Sequence, residues 1–148
     1  MDALELLMRD HWKIKELFAH CRVTTDTKKL GQLFREIKAE LELHTYIEET
    51  IFYPAMEKYE EIKSLVLESI EEHRQLKMIL RELARLFPSS ERFKPRLKVL
   101  MDDFEHHAEE EEEGKMFYKI IRLVDNAELD DLGEEIERVK HKRFRKAS

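Results

Sequence analysis

Apolar residues recur at alternating spacings of three and four along almost the whole chain, a pattern that predicts amphipathic helices packed on one face. The sequence has only 3 glycines and 3 prolines in 148 residues. It therefore lacks the turn residues that the many short strands of a β-sandwich or barrel require. It also lacks a glycine-rich phosphate loop, which excludes P-loop and dinucleotide-binding sites. We expect an all-α fold.

Polar breaks divide the chain into five predicted helices. Four long helices cover about 2–23, 28–59, 61–87 and 91/95–124, and a short one covers about 129–144. Pro54 lies inside the second helix and is expected to kink or break its last turns. Short connections place successive helices antiparallel. The prediction is a single domain over 1–148: an antiparallel up-down-up-down four-helix bundle over about 2–124, with a short C-terminal fifth helix.

Composition limits the classes of partner and location. Charged residues make up 41% of the chain and apolar residues 42%, so a core can form. The net charge of −6 argues against nucleic acid as a partner, and the basic stretch 138–146 is expected to be simply solvated. The one cysteine, Cys21, suits a reducing compartment. No apolar run approaches the roughly 20 residues of a membrane span, and the acidic start does not resemble a signal peptide. We expect a cytoplasmic protein without membrane contact.

Histidine interrupts the apolar stripe of every long helix, at positions where a bundle core should be apolar. These histidines are His11, His44, His73 and His107. Glu48 and Glu111 each follow one of them by four residues, which places the carboxylate and the imidazole on one helical face. Unpartnered buried carboxylates are costly, and metal cations bound by glutamate and histidine remove that cost. We therefore predict that these six residues are metal ligands in the bundle interior, as in di-iron carboxylate bundles.

Several neighbouring residues leave alternatives open. His106 competes with His107 for the inward position, and Glu112 replaces Glu111 if the fourth helix contains a π-bulge. Tyr53 either packs and hydrogen-bonds near the site or binds metal as a phenolate. Trp12, Phe18 and Phe104 are expected in the core or shielding the site, and His20 and His141 at the surface. Two six-coordinate ions held by four imidazoles, two bridging carboxylates and a bridging oxygen keep about two positions free for small ligands.

The motifs resemble those of the hemerythrin-like family, also called the HHE cation-binding domain. The matching segments are Asp10-His11, the run 44–55 (HTYIEETIFYPA), Glu72-His73-Arg74, the run 107–112 (HAEEEE) and the run 129–135 (LDDLGEE). The resemblance implies two iron ions joined by an oxo or hydroxo bridge. Histidine and glutamate ligands also accept manganese or zinc, so the sequence leaves the native metal open. It implies binding of dioxygen, peroxide or nitric oxide in sensing, storage or detoxification, and it leaves open whether the protein turns these ligands over.

Two other functions fit the same sequence: a regulatory module that senses iron or oxygen without turnover, and a metal-free helical interaction domain. The sequence also departs from the family pattern at two places. Oxygen-carrying hemerythrins have a second histidine four residues after the third-helix histidine, where this chain has Lys77. In the first motif, Phe52-Tyr53 follows the histidine His44. In the second motif, the corresponding run Met116-Phe117-Tyr118 begins one residue later relative to its histidine, His107.

Overall fold

The structure, a computed structural model, is helical and describes residues 1–147, with side chains described through Arg143. Ser148 and the side chains of 144–147 lie outside the described residues, so the last side chains of the basic stretch 138–146 are not described. Its elements are α1 (Ala3–Val23), α2 (Thr27–Ile47), π1 (Glu48–Phe52), α3 (Tyr53–Met56), α4 (Glu60–Ala84), α5 (Phe93–Glu105), π2 (His106–Met116), α6 (Phe117–Leu123) and α7 (Asn126–Ala147). Because α2–π1–α3 and α5–π2–α6 each run on without a break, residues 1–147 form five continuous helices. The all-α bundle with an added C-terminal helix is confirmed.

Aspartates start the first two helices. The Asp2 side chain accepts a hydrogen bond from the Glu5 amide at 2.9 Å, and the Asp26 side chain accepts one from the Lys28 amide at 3.0 Å. Each satisfies an amide that has no partner within the helix. The polar break before residue 28 is thus a helix boundary, as its composition predicts.

Pro54 does not break the second helix. The Tyr53 amide donates to the Glu48 carbonyl five residues back, which is the hydrogen bond of a π-helix. Pro54 then stands in the first turn of α3, where its missing amide hydrogen leaves no gap in the hydrogen bonding. The helix therefore continues to Met56, with a π segment in the turn before Pro54.

A longer π segment changes which face of the fourth helix is buried. The Phe117 amide donates to the Glu112 carbonyl, again five residues back. Each π-type hydrogen bond holds one more residue than an α-type bond, so the α-helical spacing no longer applies beyond it. Tyr118 and Ile121, on the predicted apolar stripe, are 70% and 68% exposed, whereas Ile120 is buried.

Two apolar cores fill opposite halves of the bundle. One is formed by the end of α1, the start of α2, the end of α4 and α5, and contains Phe18 and Phe104. The other is formed by the start of α1, π1, α3, the start of α4, α6 and α7, and contains Leu7 and Phe52. The buried polar residues lie between these cores, at mid-height of the bundle.

The fifth helix packs along the first. A Cβ atom at Gly133 of α7 would collide with the backbone of Met1 and Asp2, so the glycine allows the start of the chain to lie directly against α7. The contact fixes α7 beside α1, and Lys140 of α7 reaches Asp10 at the level of the polar layer. Among the described helices, none has the length and apolar character needed to cross a bilayer.

Candidate metal centre

The four stripe histidines meet in the interior between the two apolar cores. Each is at most 1% exposed. His11 of α1 and His44 of α2 form one pair, with ring centroids 4.9 Å apart. His73 of α4 and His107 of π2 form the other, with centroids 4.8 Å apart. The structure therefore brings all four predicted imidazoles together, one from each long helix.

The first pair of histidines and two carboxylates outline one ion position. Ligand atoms of His11, His44, Glu48 and Glu112 all lie within 4.8 Å of one another. His11 Nε2 is 2.9 Å from Glu112 Oε1, and His44 Nε2 is 3.2 Å from Glu48 Oε1. Two imidazoles and two carboxylates are ligands that divalent first-row metals accept.

The second pair outlines another ion position that shares a carboxylate with the first. Ligand atoms of Glu48, His73 and His107 also lie within 4.8 Å of one another. His73 Nε2 is 3.0 Å from Glu48 Oε1, and His107 Nε2 is 3.4 Å from Glu112 Oε1. Glu48 and Glu112 thus stand between the two histidine pairs, where carboxylates can join two ions.

Each of the four imidazoles has a carboxylate on its outer side. The Nδ1 pairs are His11 with Glu113 at 2.6 Å, His44 with Asp10 at 3.0 Å, His73 with Glu49 at 2.9 Å, and His107 with Glu72 at 2.6 Å. A neutral ring that donates its Nδ1–H outward presents the lone pair of Nε2 inward. Carboxylate–histidine pairs of this kind orient the histidine ligands of metal sites and raise their basicity.

Two lysines offset part of the negative charge around the rings. Lys140 of α7 pairs with Asp10, and Lys77 pairs with Glu49 at 2.8 Å. Lys77, at the position where oxygen carriers have a histidine, thus lies outside the cluster. With the rings neutral, six carboxylates against two ammonium groups leave four unbalanced negative charges, which two divalent cations would neutralise.

Several atoms that face the interior make no hydrogen bond within the described chain, although two of these atoms, His11 Nε2 and Glu112 Oε1, lie 2.9 Å apart. These atoms are His11 Nε2, His44 Nε2, Glu48 Oε2 and Glu112 Oε1. Leaving a buried polar atom without a hydrogen bond costs about 1–3 kcal/mol. These nitrogen and oxygen atoms are good metal ligands and point into the interior. They fit a pair of cations, because each atom without a hydrogen bond could instead bind an ion.

The titration behaviour reflects the same crowding of opposite groups. Burial alone would lower the pKa of His44, but Glu48 and Asp10 raise it to about 10. Burial likewise opposes charge on His107, yet Glu112 and its other carboxylate neighbours raise its pKa. The pKa of Glu48 is lowered because the surrounding imidazoles outweigh burial. Protons and metal ions therefore compete for the same ring nitrogens.

Glu112, rather than the predicted Glu111, lies in the cluster. The prediction placed Glu111 on the face of His107 from α-helical spacing, but π2 puts residues five apart on one face. Glu111 is buried beside His106 instead, with 3.6 Å between its Oε1 and His106 Nε2. Gly114 permits the π geometry, since a Cβ there would lie 2.9 Å from the Glu109 carbonyl oxygen.

Tyr53 reaches the second ion position. Its hydroxyl donates to Glu112 Oε2 at 2.5 Å and lies 3.5 Å from Nε2 of both His73 and His107. Burial raises its pKa, and the charges of Glu112 and Glu48 raise it further, which favours the hydrogen-bonding role in the absence of an ion.

Aromatic rings cover the first pair of histidines. Phe104 meets His11 edge-on at 5.8 Å, and Phe117 stacks on His11 at 6.3 Å with 10° between the planes. Trp12, in contrast, is 64% exposed and does not shield the site. His20 and His141 are exposed, as expected.

Sequence reasoning did not find the outer carboxylates, because acidic residues on polar helix faces are ordinary. The residues missed are Asp10, Glu49, Glu72 and Glu113. One signal was available: each directly neighbours a candidate ligand or the acidic run of the second motif. For Glu112, the signal was that Met116 and Phe117 come one residue later after the second motif than the corresponding residues after the first, which indicates an extra residue in that helix.

Comparisons with known proteins agree with this geometry. The solved HHE cation-binding domain protein from Mycobacterium kansasii superposes with a TM-score of 0.84 at 28% identity, over 97% of this chain and 88% of that one. An uncharacterized hemerythrin-like protein of Schizosaccharomyces pombe is 27% identical over 74% of this chain and 55% of its own length. A Nostoc protein named DNA nickase is 25% identical over 96% of this chain and 40% of its own length.

The chain therefore spans about half the length of these two curated relatives, so each relative contains a large region with no counterpart in the match. The model of the hemerythrin HHE cation-binding domain matches residues 2–120. That range contains both histidine pairs, both inner carboxylates and all four outer carboxylates, and α7 lies beyond it. The chain belongs to the hemerythrin HHE cation-binding domain family.

Proposed function

We propose that the protein binds two iron ions at this centre and takes up a small ligand there, namely dioxygen, peroxide or nitric oxide. The observation that carries the proposal is the shared carboxylate: Glu48 belongs to both groups of converging ligand atoms. His11 and His44 would hold one ion, and His73 and His107 the other. Bound iron would supply redox and Lewis-acid chemistry to the ligand.

The residues around the second position favour it for the exogenous ligand. His73 and His107 face it with Glu48, while Lys77 is drawn away by Glu49. The Tyr53 hydroxyl lies 3.5 Å from both imidazole nitrogens, and the proton that it donates to Glu112 would pass to a ligand there once Glu112 binds the ion. The apolar cores on either side keep bulk water from the centre.

The role we propose is sensing, storage or detoxification in a reducing, cytoplasmic setting, and the free and buried Cys21 supports that setting. Two other functions predict different behaviour. A regulatory module would bind iron without turnover, and its fold would depend on the metal. A metal-free interaction domain would be stable without metal and would bind none.

The experiment is iron reconstitution of the full chain, followed by metal analysis, absorption spectra and addition of hydrogen peroxide or nitric oxide. The proposal predicts about two irons per chain, near-ultraviolet absorption from oxygen-to-iron charge transfer, and a spectral change with each added ligand. Consumption of either ligand separates detoxification from sensing. Protein that takes up no iron and melts at the same temperature with and without it would contradict the proposal. His20→Asn, at an exposed histidine far from the cluster, is the matched control.

A further inference from the structure

Two histidines and two glutamates stand at matched positions in π2. The chain reads His106-His107, then three residues, then Glu111-Glu112. Since residues five apart share a face of a π-helix, the segment makes two parallel histidine–glutamate pairs. His107 and Glu112 face the centre already described. His106 and Glu111 form the outer pair, with His106 Nε2 3.6 Å from Glu111 Oε1.

A third carboxylate completes a group beside this outer pair. Glu72 of α4 places Oε2 3.9 Å from His106 Nε2, while its Oε1 accepts a hydrogen bond from His107 Nδ1 at 2.6 Å. Ligand atoms of Glu72, His106 and Glu111 lie within 4.8 Å of one another. Glu72 thus touches both the inner centre and the outer group.

Glu111 is buried in a way that its protein contacts do not explain. The residue is 4% exposed, and its Oε2 has no hydrogen-bond partner in the part of the chain that the structure describes. Lys115 reaches only Oε1, at 3.2 Å, and its own side chain is 57% exposed. A buried carboxylate oxygen left in this state is costly, and a cation seated between Glu111 and its neighbours would remove the cost.

His106 is oriented like a ligand. Its Nδ1 pairs with Glu110 Oε2 at 2.9 Å, so Nε2 is the nitrogen that faces Glu72 and Glu111. The four buried histidines have the same arrangement, with Nδ1 on an outer carboxylate and Nε2 toward the group. The His106 side chain is 52% exposed, which gives solvent and ions direct access.

We propose that Glu72, His106 and Glu111 form a second binding site, open to solvent, for a divalent first-row cation such as Mn²⁺, Fe²⁺, Co²⁺ or Zn²⁺. One imidazole and two carboxylates suit these ions, and water fills the remaining positions. The site is weaker and exchanges faster than the buried centre because it has fewer protein ligands and more water. It shares no proposed ligand with that centre, although Glu72 contacts both.

Calorimetric titration of the metal-free full chain with Co²⁺ tests the site. Wild type is expected to bind a further, weaker equivalent after the buried centre has filled. His106→Ala and Glu111→Gln should each weaken that last event at least tenfold and leave the earlier ones in place. Glu109→Gln removes a carboxylate from the same π segment on its exposed side and should titrate like wild type. Thermal unfolding followed by circular dichroism identifies folded variants, and His106→Gln replaces His106→Ala if the latter unfolds.

A direct readout comes from the histidine ring signals in NMR spectra during addition of Mn²⁺. With the buried centre filled by Zn²⁺, small amounts of Mn²⁺ should broaden the His106 ring signals in wild type and far less in Glu111→Gln. Superimposable titrations of wild type and His106→Ala, or unbroadened His106 signals, would overturn the proposal. Loss of the tight events with retention of the His106-dependent one would instead defeat the proposed function and leave this site standing.

Discussion

The Nε2 atoms of His73 and His107 lie 3.2 Å apart and face each other, while the Nδ1 atom of each ring lies against a carboxylate. If both rings donate outward, two nitrogen lone pairs meet at this distance and repel. Two imidazole nitrogens that bind one ion at about 2.1 Å and about a right angle are about 3 Å apart. The separation therefore matches two ligands of a single cation.

The identity of the second inner carboxylate gives the first prediction. Glu112→Gln should lower iron affinity by more than about 100-fold, because it removes a charged ligand rather than an outer partner. Glu111→Gln should retain both buried ions, since Glu111 faces His106. Metal analysis after dialysis against a chelator compares the two variants. Equal iron loss from both would mean that the π segment does not separate their roles.

The outer shell of His44 gives the second prediction. Asp10→Ala leaves the His44 Nδ1 without its acceptor and should weaken metal binding about 10–100-fold. Lys140→Met should weaken it in the same direction but less, because Lys140 acts only through Asp10. Competition with a metal-binding dye measures the affinities. Lys142→Met, at an exposed position of the same helix, is the control, and an equal effect there would remove α7 from the account.

The contact between the chain start and α7 gives the third prediction. Gly133→Ala gains about 1 kcal/mol of helix propensity. It also forces a Cβ into the Met1 and Asp2 backbone, at a cost of about 1–3 kcal/mol. Relief by moving the start of the chain would disturb the Asp2 cap of α1. Urea unfolding should show net destabilisation, whereas Glu134→Ala at the neighbouring exposed position should change little. A stabilised Gly133→Ala would contradict the close packing.

The buried thiol gives the fourth prediction. Burial raises the pKa of Cys21 from 9.0 to about 11. The thiolate is the reactive form, so at pH 8 the native thiol should react with iodoacetamide at least about 100-fold more slowly than in urea-unfolded chain. The native rate should rise as the pH approaches the raised pKa. Rapid labelling of the native protein at pH 8 would contradict a buried thiol and would mean that the C-terminal end of α1 opens readily.

The fold and most of the centre are readable from the sequence because they depend on one periodicity. Leu7, Ile14 and Phe18 mark the buried face of α1, and His11 falls on the same stripe. A histidine at a core position needs a partner for its ring nitrogens. Four such histidines, one on each long helix, therefore indicate a single cluster in the interior. The same logic identifies Glu48, whose spacing from His44 is α-helical.

The rest escapes sequence reasoning because it depends on hydrogen bonding in the backbone. A π segment is set by small differences among i→i+4 and i→i+5 bonds, which side-chain pattern alone does not report. It moves the inward carboxylate from Glu111 to Glu112 and exposes Tyr118. In the sequence, the extra residue is visible in the position of Met116 and Phe117, which come one residue later after the second motif than the corresponding residues after the first.

The most direct test of the central claim is the iron content of the reconstituted His73→Ala variant beside wild type. His73 faces only the second ion position, through Glu48 and His107. The account predicts about two irons per wild-type chain and at most about one per variant chain, with the variant still helical. An unchanged iron content in folded His73→Ala would contradict a centre built from these two histidine pairs.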